Sequence, residues 1–390
     1  MRAKSSIDAF KIALIEPVGG HGGMHYYDFG LLEGLRSAGV STTLYTSDET
    51  EIPSSHLDCT HLFFNSIYGA SPKLIRLMHF VVGLLRSLVH ARVNGANLAH
   101  YHLFHYTLLE LMEIVITRLL GMQLMLTVHD VESFISGSSH RIARIVFKNA
   151  DGIIAHNEVS RQAILDILPE ASRKIMVIPH GNYVQYSSTT PGREAARLSL
   201  NIPLNSRIVL FFGQIKKVKG LDILLQAWKN IPHAVPNSLL LIAGKVWKDD
   251  IKMYQDLIEQ SGVANSVRFD IRYIPDNEAS LYYAAADLVV LPYRKIYQSG
   301  VLLMAMSHGR AVLVSDLPGM TEIIKNGENG FVFQSEEISA LSDALIRVMQ
   351  DTEKRESIAR QGFQTVSLEH DWHKIGTATK KFYERICTNA

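Results

Sequence analysis

Cysteine is nearly missing from this chain. Cys59 and Cys387 are the only two in 390 residues, and neither has a CxxC neighbour. That leaves no disulfide framework and points to a reducing, cytoplasmic setting. Excess charge is missing too: 39 Lys and Arg against 38 Asp and Glu give a net +1. A dedicated nucleic-acid binder would show a strong basic excess, so no nucleic-acid partner is expected. Long uncharged apolar runs are also lacking. The greasiest stretch, Leu74 to Val93, is interrupted by Arg76, His79, Arg86, His90 and Arg92, whereas a spanning helix wants about 20 mostly uncharged residues. Met1–Phe10 is not followed by an unbroken apolar run of signal-peptide length. Gly-x-Ser-x-Gly is absent, which removes support for a hydrolase nucleophile elbow. Low-complexity tracts and short-period repeats are absent, and 47% hydrophobic content excludes a disordered chain.

What is present is a rhythm. Short β-rich runs alternate with amphipathic stretches: strands at Lys11–Glu16, Thr42–Thr46, His61–Phe64, Asn97–His102, Gln123–Val128, Gly152–Ala155 and Lys174–Ile178, with helices at Tyr27–Ala38, Lys73–Val93, Leu108–Leu120 and Ser160–Leu168. The rhythm breaks at Gln185–Ser206, where a polar Pro- and Gly-containing segment reads as a linker. It restarts with strands at Arg207–Phe212, Ser238–Ala243, Ser266–Phe269, Asp287–Leu291, Ala311–Val314 and Phe331–Phe333. Alternation of this kind predicts parallel sheets with helices on both faces. The expected fold class is α/β, two doubly wound Rossmann-like domains facing a cleft. The expected division is 1–185, 186–368 and a tail helix over 369–390 that crosses back to the first domain. Ligands in such sheets bind at the carboxyl ends of the strands, so the loops there are the place to look for chemistry.

The first strand ends at Glu16 and enters a loop with Gly19, Gly20, Gly22 and Gly23. Exposed N–H groups and the start of the next helix together suit an anion, above all a phosphate. The spacing is neither a dinucleotide fingerprint nor a P-loop. The matching loop in the second half carries Gly213, Lys216, Lys217, Lys219 and Gly220 before an amphipathic helix. Cations placed just before a helix N-terminus oppose its dipole, and make sense when a polyanion lies between them. Lys219, then Lys216, are the expected diphosphate contacts. A third strand runs into Gln298-Ser299-Gly300-Val301, where free N–H groups suit phosphate or sugar hydroxyls. The next loop adds the carboxylates Asp316 and Glu322.

These residues carry a resemblance. FFGQIKKVKGLDILL (211–225), IAGK (242–245), YYAAADLVVLPY (282–293), QSGVLL (298–303), SDLPGMTEII (315–324) and NGENGFVF (326–333) resemble the nucleotide-binding half of GT-B glycosyltransferases, the retaining group called group 1 or family 4. GGHGGMHYYDFGLLEGLRSAG (19–39), TVHD (127–130), ADGIIAHNEVS (150–160) and KIMVIPHGNY (174–183) have counterparts in the other half. The resemblance implies transfer of a hexose from a UDP- or GDP-linked sugar to a glycan or polyprenyl-linked acceptor in bacterial surface polysaccharide synthesis. It implies no bound metal and no cofactor beyond the nucleotide sugar. Lys219 would neutralise the leaving diphosphate. Gln214 stands where relatives commonly have Arg, and Lys216 is the expected substitute. Gly22 and Gly23 would close over the diphosphate, and His129 would lie near the donor sugar. Gly213, Lys245, Tyr273, Ile274, Gln298, Ser299, Gly300, Val301 and Glu322 complete the implied donor site. One departure is plain: Ile296 and Met304 occupy the positions of the family's Glu–seven–Glu pair.

Two other readings stay open beside the transferase. One is a non-catalytic protein that binds nucleotide sugar or glycan, motivated by Ile296 and Met304; the other is a sugar-nucleotide epimerase. His100, His102 and His105 are spaced as metal ligands could be, but no carboxylate-rich segment completes a site. The span from Cys59 to Leu109 holds no Asp or Glu, while Lys73, Arg76, Arg86 and Arg92 sit among leucines and valines. A basic amphipathic helix of this kind suits an anionic membrane surface, and so a peripheral place on its inner face.

Overall fold

A computed structural model of the chain describes residues 11–20, 23–131, 139–187 and 191–388. They divide into two compact units, one of Met1–Gly181 with His370–Ala390, the other of Asn182–Glu369. The first holds β1 (Lys11–Glu16), β2 (Ser41–Ser47), β3 (Thr60–Phe64), β4 (Leu98–Leu103), β5 (Gln123–Val128), β6 (Gly152–Ala155) and β7 (Ile175–Val177). They form one parallel sheet in the order β3-β2-β1-β4-β5-β6-β7. The second holds β8 (Arg207–Phe212), β9 (Ser238–Ala243), β10 (Val267–Asp270), β11 (Leu288–Leu291), β12 (Ala311–Ser315) and β13 (Phe331–Phe333), parallel in the order β10-β9-β8-β11-β12-β13. Two doubly wound Rossmann-like units is the fold class that the alternation predicts.

Parallel strands need crossover helices, which bury both sheet faces. The strands therefore read as continuous apolar runs. KIALIE of β1 is buried from its second residue on, and LVVL of β11 is buried throughout. Two helices of more than one turn escaped the sequence reading. His140–Asn149 is short and basic; Ser139 caps it, and only Ala143, Val146 and Phe147 bury. Arg193–Ser199 lies in the segment expected to be a linker. Its Arg197 donates to Asp287 at 2.8 Å and to the Ala285 carbonyl at 3.1 Å, so a contact distant in sequence pins it.

The helix Trp372–Thr388 belongs to the first unit and packs on the helix Met24–Ser37. Glycine makes that packing possible. A Cβ at Gly376 would collide with the Gly34 carbonyl, and one at Gly30 or Gly181 with the Trp372 indole. Phe382, Tyr383 and Ile386 continue the contact into the core around Leu31, Leu35 and Ile154. Gly376→Val should force these helices apart and destabilise the first unit by about 1–3 kcal/mol. Chemical denaturation followed by circular dichroism measures it; an unchanged midpoint would show that the close approach is dispensable.

Candidate functional site

In each sheet the strand order reverses once, between β8 and β11 in the second unit and between β1 and β4 in the first. Ligands of open parallel sheets bind outside the carboxyl ends at such switch points.

In the second unit the loops after β8, β9 and β10 lean on one another. Gly213 has φ +105, and a Cβ on Gly244 would collide with the Gly213 carbonyl. The Gly213 N–H donates to the Ala243 carbonyl at 3.0 Å, and the Ile215 N–H to the Lys245 carbonyl at 2.9 Å. This holds Lys245 alongside the Gly213–Gln214–Ile215 backbone; the Gln214 and Lys245 side chains are both exposed. The Gly244 N–H in turn donates to the Asp270 carbonyl at 3.1 Å, which ties in the loop carrying exposed Tyr273 and buried Ile274. From the other side of the switch point comes the helix Gly300–Ser307. Ser299 caps it, its hydroxyl accepting from the Leu302 N–H at 3.2 Å. A Cβ at Gly213 would lie 3.4 Å from Val301, so this helix start abuts the loop after β8. Gln298, Ile296 and Met304 are half-buried. Glu322 follows the short helix Pro318–Thr321 and is exposed.

The lysines sit in a turn that the fold clamps. Lys217–Lys219 forms one 3-10 turn ending at Gly220, whose φ is +69. A Cβ on Gly220 would collide with the Pro292 carbonyl. Arg294 grips the Asp222 carboxylate with two bonds of 2.7 Å and donates to the Lys217 carbonyl at 2.9 Å. Burial would raise the Asp222 carboxyl, but the Arg294 bonds outweigh it and hold the group below its usual range. Lys219, half-buried, lies with its ammonium 3.7 Å from the Tyr293 ring centre, and Lys216 lies 5.8 Å from the Trp247 ring centre. Sequence reasoning named neither Arg294 nor Asp222. The available signal was an arginine just past a buried strand and an aspartate just past Gly220.

The first unit has a cavity of about 410 Å³ at its switch point. Glu16, Pro17 and Val18 follow β1 on one side; His102, Phe104 and His105 come from β4 and its loop. The N-terminal halves of the helices Lys73–Val93 and Leu108–Leu119 close it with Lys73, Arg76, Phe80 and Glu113. The Arg76 Nε is buried and has no hydrogen-bond partner. Glu16 accepts from the Gly19 N–H at 2.7 Å and the Val18 N–H at 3.1 Å, while burial pushes its carboxyl up to about 7. Gly19 and Gly20 have a packing reason to be glycine: a Cβ on either would collide with the Ser47–Thr50 loop. Gly23, at φ +80, is the N-cap of the helix Met24–Ser37. Gly22 lies outside the described residues.

His129 belongs to a buried imidazole cluster. It stacks on Phe104 with centroids 4.7 Å apart. The Tyr27 ring meets His102, His129, His156 and His180 edge-on at 4.8–5.5 Å. His102 Nδ1 lies 3.5 Å from Asp28 Oδ1, and His100 bonds Tyr383 and Thr127 at 2.7 Å each. Burial pushes His102, His129 and His180 well below the usual range, His156 to about 4 and His100 to about 3. His129 is therefore a neutral imidazole at neutral pH, a dipole rather than a charge. Among the described residues no group of three or more His, Cys, Asp or Glu is arranged to hold a metal ion.

The cluster sets a pH dependence. Unfolded, the five imidazoles take protons near 6.5; folded, they refuse them until far lower pH. Stability is lost as pH falls through 6.5. Glu16, Asp28 and Glu113 oppose this, because burial raises their carboxyls above the unfolded values of 4.5, 3.8 and 4.5, so acidification relieves them. The histidines outnumber the carboxyls, leaving about two more protons on the unfolded chain, a slope on the order of 3 kcal/mol per pH unit. The denaturation midpoint should drop steeply between pH 6.5 and 4.5. A flat profile there would contradict buried neutral imidazoles.

Comparison with known proteins agrees with this geometry. Residues 192–365 match the family described as Glycosyl transferases group 1, and residues 21–182 match Glycosyltransferase Family 4. A D-inositol 3-phosphate glycosyltransferase of Corynebacterium urealyticum is 25% identical over 252 residues, 62% of this chain and 58% of that protein. A phosphatidyl-myo-inositol mannosyltransferase of Mycobacterium leprae is 24% identical over 61% of this chain and 60% of its own length. The match thus spans under two thirds of either relative. Among solved structures, the sucrose-phosphate synthase of Thermosynechococcus elongatus superposes with a TM-score of 0.75 at 19% identity, covering 98% of this chain and 100% of the other. Anabaena HepE in complex with UDP and glucose superposes with a TM-score of 0.77 at 19% identity, covering 96% and 100%. With both halves matched in order and the fold shared along almost its whole length, the chain belongs to the group 1 / family 4 glycosyltransferases of GT-B fold.

Proposed function

We propose that the protein transfers a hexose from a UDP- or GDP-linked donor to a lipid-linked or glycan acceptor in the building of a bacterial surface polysaccharide. The observation that carries this reading is the gathering of Lys216, Lys219, Lys245 and the start of the helix Gly300–Ser307 around one switch point. In the reaction the bond from C1 to the diphosphate breaks and its electron pair leaves with the phosphate. The acceptor oxygen bonds C1 and gives up its proton to the departing diphosphate. Lys219, Lys216 and the N–H groups of Gly300 and Val301 stabilise the departing charge. Arg294 and Asp222 position the lysine turn. Retention is the stereochemistry we expect. Anabaena HepE is solved with UDP-glucose, which supports the UDP arm. The apolar pair Ile296 and Met304 favours one alternative, binding without turnover.

The acceptor belongs to the cavity of the first unit. Lys73 and Arg76 suit a phosphate, and Phe80, Leu77 and Leu109 suit an apolar portion. The helix Lys73–Val93 is, by length and composition, able to cross a membrane. Its Gly83, Leu84, Leu88 and Ala91 are buried against the unit, while Leu74, Met78, Val82, Leu85, Val89 and Val93 form an exposed stripe. A helix packed on one face and apolar on the other lies on a membrane rather than through it. We therefore place the protein peripherally on the inner face of an anionic membrane, where the two helices that frame the cavity meet a lipid-borne acceptor.

Calorimetry across UDP-, GDP- and ADP-sugars, followed by product analysis with and without acceptor, tests the reading. No binding by any donor defeats it; binding without turnover over a broad acceptor panel favours the alternative. Lys219→Ala should weaken transfer about tenfold to a hundredfold through loss of a charge-assisted contact, with thermal stability nearly unchanged. Wild-type turnover in that variant would place the diphosphate elsewhere. Vesicle flotation should show attachment to anionic lipid at low salt and release at high salt. Protein that stays in the soluble fraction throughout would make the apolar stripe something other than a membrane face.

A further inference from the structure

At the opposite edge of the second sheet, where β11 and β12 begin, lies another cavity of about 410 Å³. Asp287 and Arg310 stand immediately before those strands. The helix Thr352–Glu369 contributes Arg355, Glu356 and Arg360, and the helix Arg193–Ser199 contributes Arg193. Four guanidinium groups thus face two carboxylates, and the carboxylates are already engaged. Asp287 accepts from Arg197 at 2.8 Å and from the Ile208 N–H at 2.7 Å, with Arg193 at 3.5 Å. Glu356 lies 3.6 Å from Arg193.

The remaining three arginines have no such partner. Arg310 donates to the His308 and Ala286 carbonyls at 3.0 and 3.2 Å. Arg355, only 4% exposed, donates to the carbonyls of Val348 and Met349 and to the Thr352 hydroxyl. Among the described residues, neither of these nor Arg360 has a carboxylate within 4.0 Å. Burial, with Arg193 adding to it, outweighs the pull of the more distant Asp287 and Glu356 and brings Arg310 down to about 10, still protonated at neutral pH. A guanidinium keeps its charge in such a place, and burying it with no carboxylate in direct contact is unfavourable.

We propose that this cavity binds the phosphate end of a small phosphorylated molecule, at a site separate from the lysine turn. Planar guanidinium forks match phosphate oxygens in pairs. The cavity exceeds one phosphate in size, and Ala359 and Phe363 give the rest of the ligand an apolar wall. Because the strands are parallel, this site lies at the amino ends of β11 and β12, whereas the lysine turn and the helix Gly300–Ser307 follow carboxyl ends. A bound phosphate would tie the helix Thr352–Glu369 to the sheet.

The test uses the full chain carrying Lys216→Ala and Lys219→Ala, so that the lysine turn does not contribute. Inorganic phosphate is titrated by calorimetry against sodium chloride of equal ionic strength, and vesicles containing phosphatidate are tested in parallel by flotation. Saturable phosphate binding is expected, weakened about tenfold by Arg360→Gln and by Arg310→Lys. Arg360 is exposed and makes no structural bond, so its substitution leaves the fold intact. Vesicle binding with the same sensitivity would assign the phosphate to a lipid headgroup and support the site. Absence of both responses, or a response that survives both substitutions, would overturn the proposal. None of these outcomes depends on glycosyl transfer.

Discussion

Parallel strand pairing constrains where this protein can do chemistry. Both sheets are parallel throughout, so helices cover both faces and the strand ends alone remain open. All carboxyl ends of a sheet share one edge. At the reversal of strand order two neighbouring loops turn away from each other and leave a gap. The cavity of the first unit lies between the loops of β1 and β4; the lysine turn of the second is held between the loops of β8 and β11. The same crowding explains several glycines. Gly20, Gly220 and Gly244 stand where another backbone passes too close for a Cβ.

The two units treat polar groups in different ways. The first buries them neutral. Its imidazoles surround Tyr27, and burial disfavours their charge and that of the buried carboxyl Asp28, so this interior provides dipoles, shape and aromatic edges. The second keeps its charges and fixes several of them in ion pairs. Arg294 with Asp222 holds the lysine turn at one edge of the sheet, and Arg197 with Asp287 holds the helix Arg193–Ser199 at the other. Electrostatic stabilisation of a departing phosphate needs charges that are already in place, because reorganising them during reaction would waste their effect. A clamped turn meets that requirement better than a free loop.

Much of the fold was legible in advance. Strands such as Gln123–Val128, Arg207–Phe212 and Ser238–Ala243 have their predicted bounds because strands buried on both faces appear as unbroken apolar runs. Helices failed where local pattern was weak: Arg193–Ser199 buries little and is pinned by Asp287, far along the chain. Among the site residues, Gly213 and Ser299 fall where a left-handed backbone and a helix cap are needed, and both needs are local. Arg294 looked like any arginine after a strand, since its partner Asp222 is 72 residues away.

By itself, the sequence determined two doubly wound α/β units, the loops at their strand ends, and the family, because hydrophobic period and glycine placement are local properties of the chain. Tertiary structure alone decided which loops became neighbours. It brought His100, His102, His129, His156 and His180, from four neighbouring strands and the loops after them, into one buried cluster, and it left Arg310 and Arg355 in one cavity without a carboxylate in direct contact. The physical reason is that burial, and with it the charge state and hydrogen bonding of a polar group, depends on which strands pair, and that order is written in no single stretch of residues.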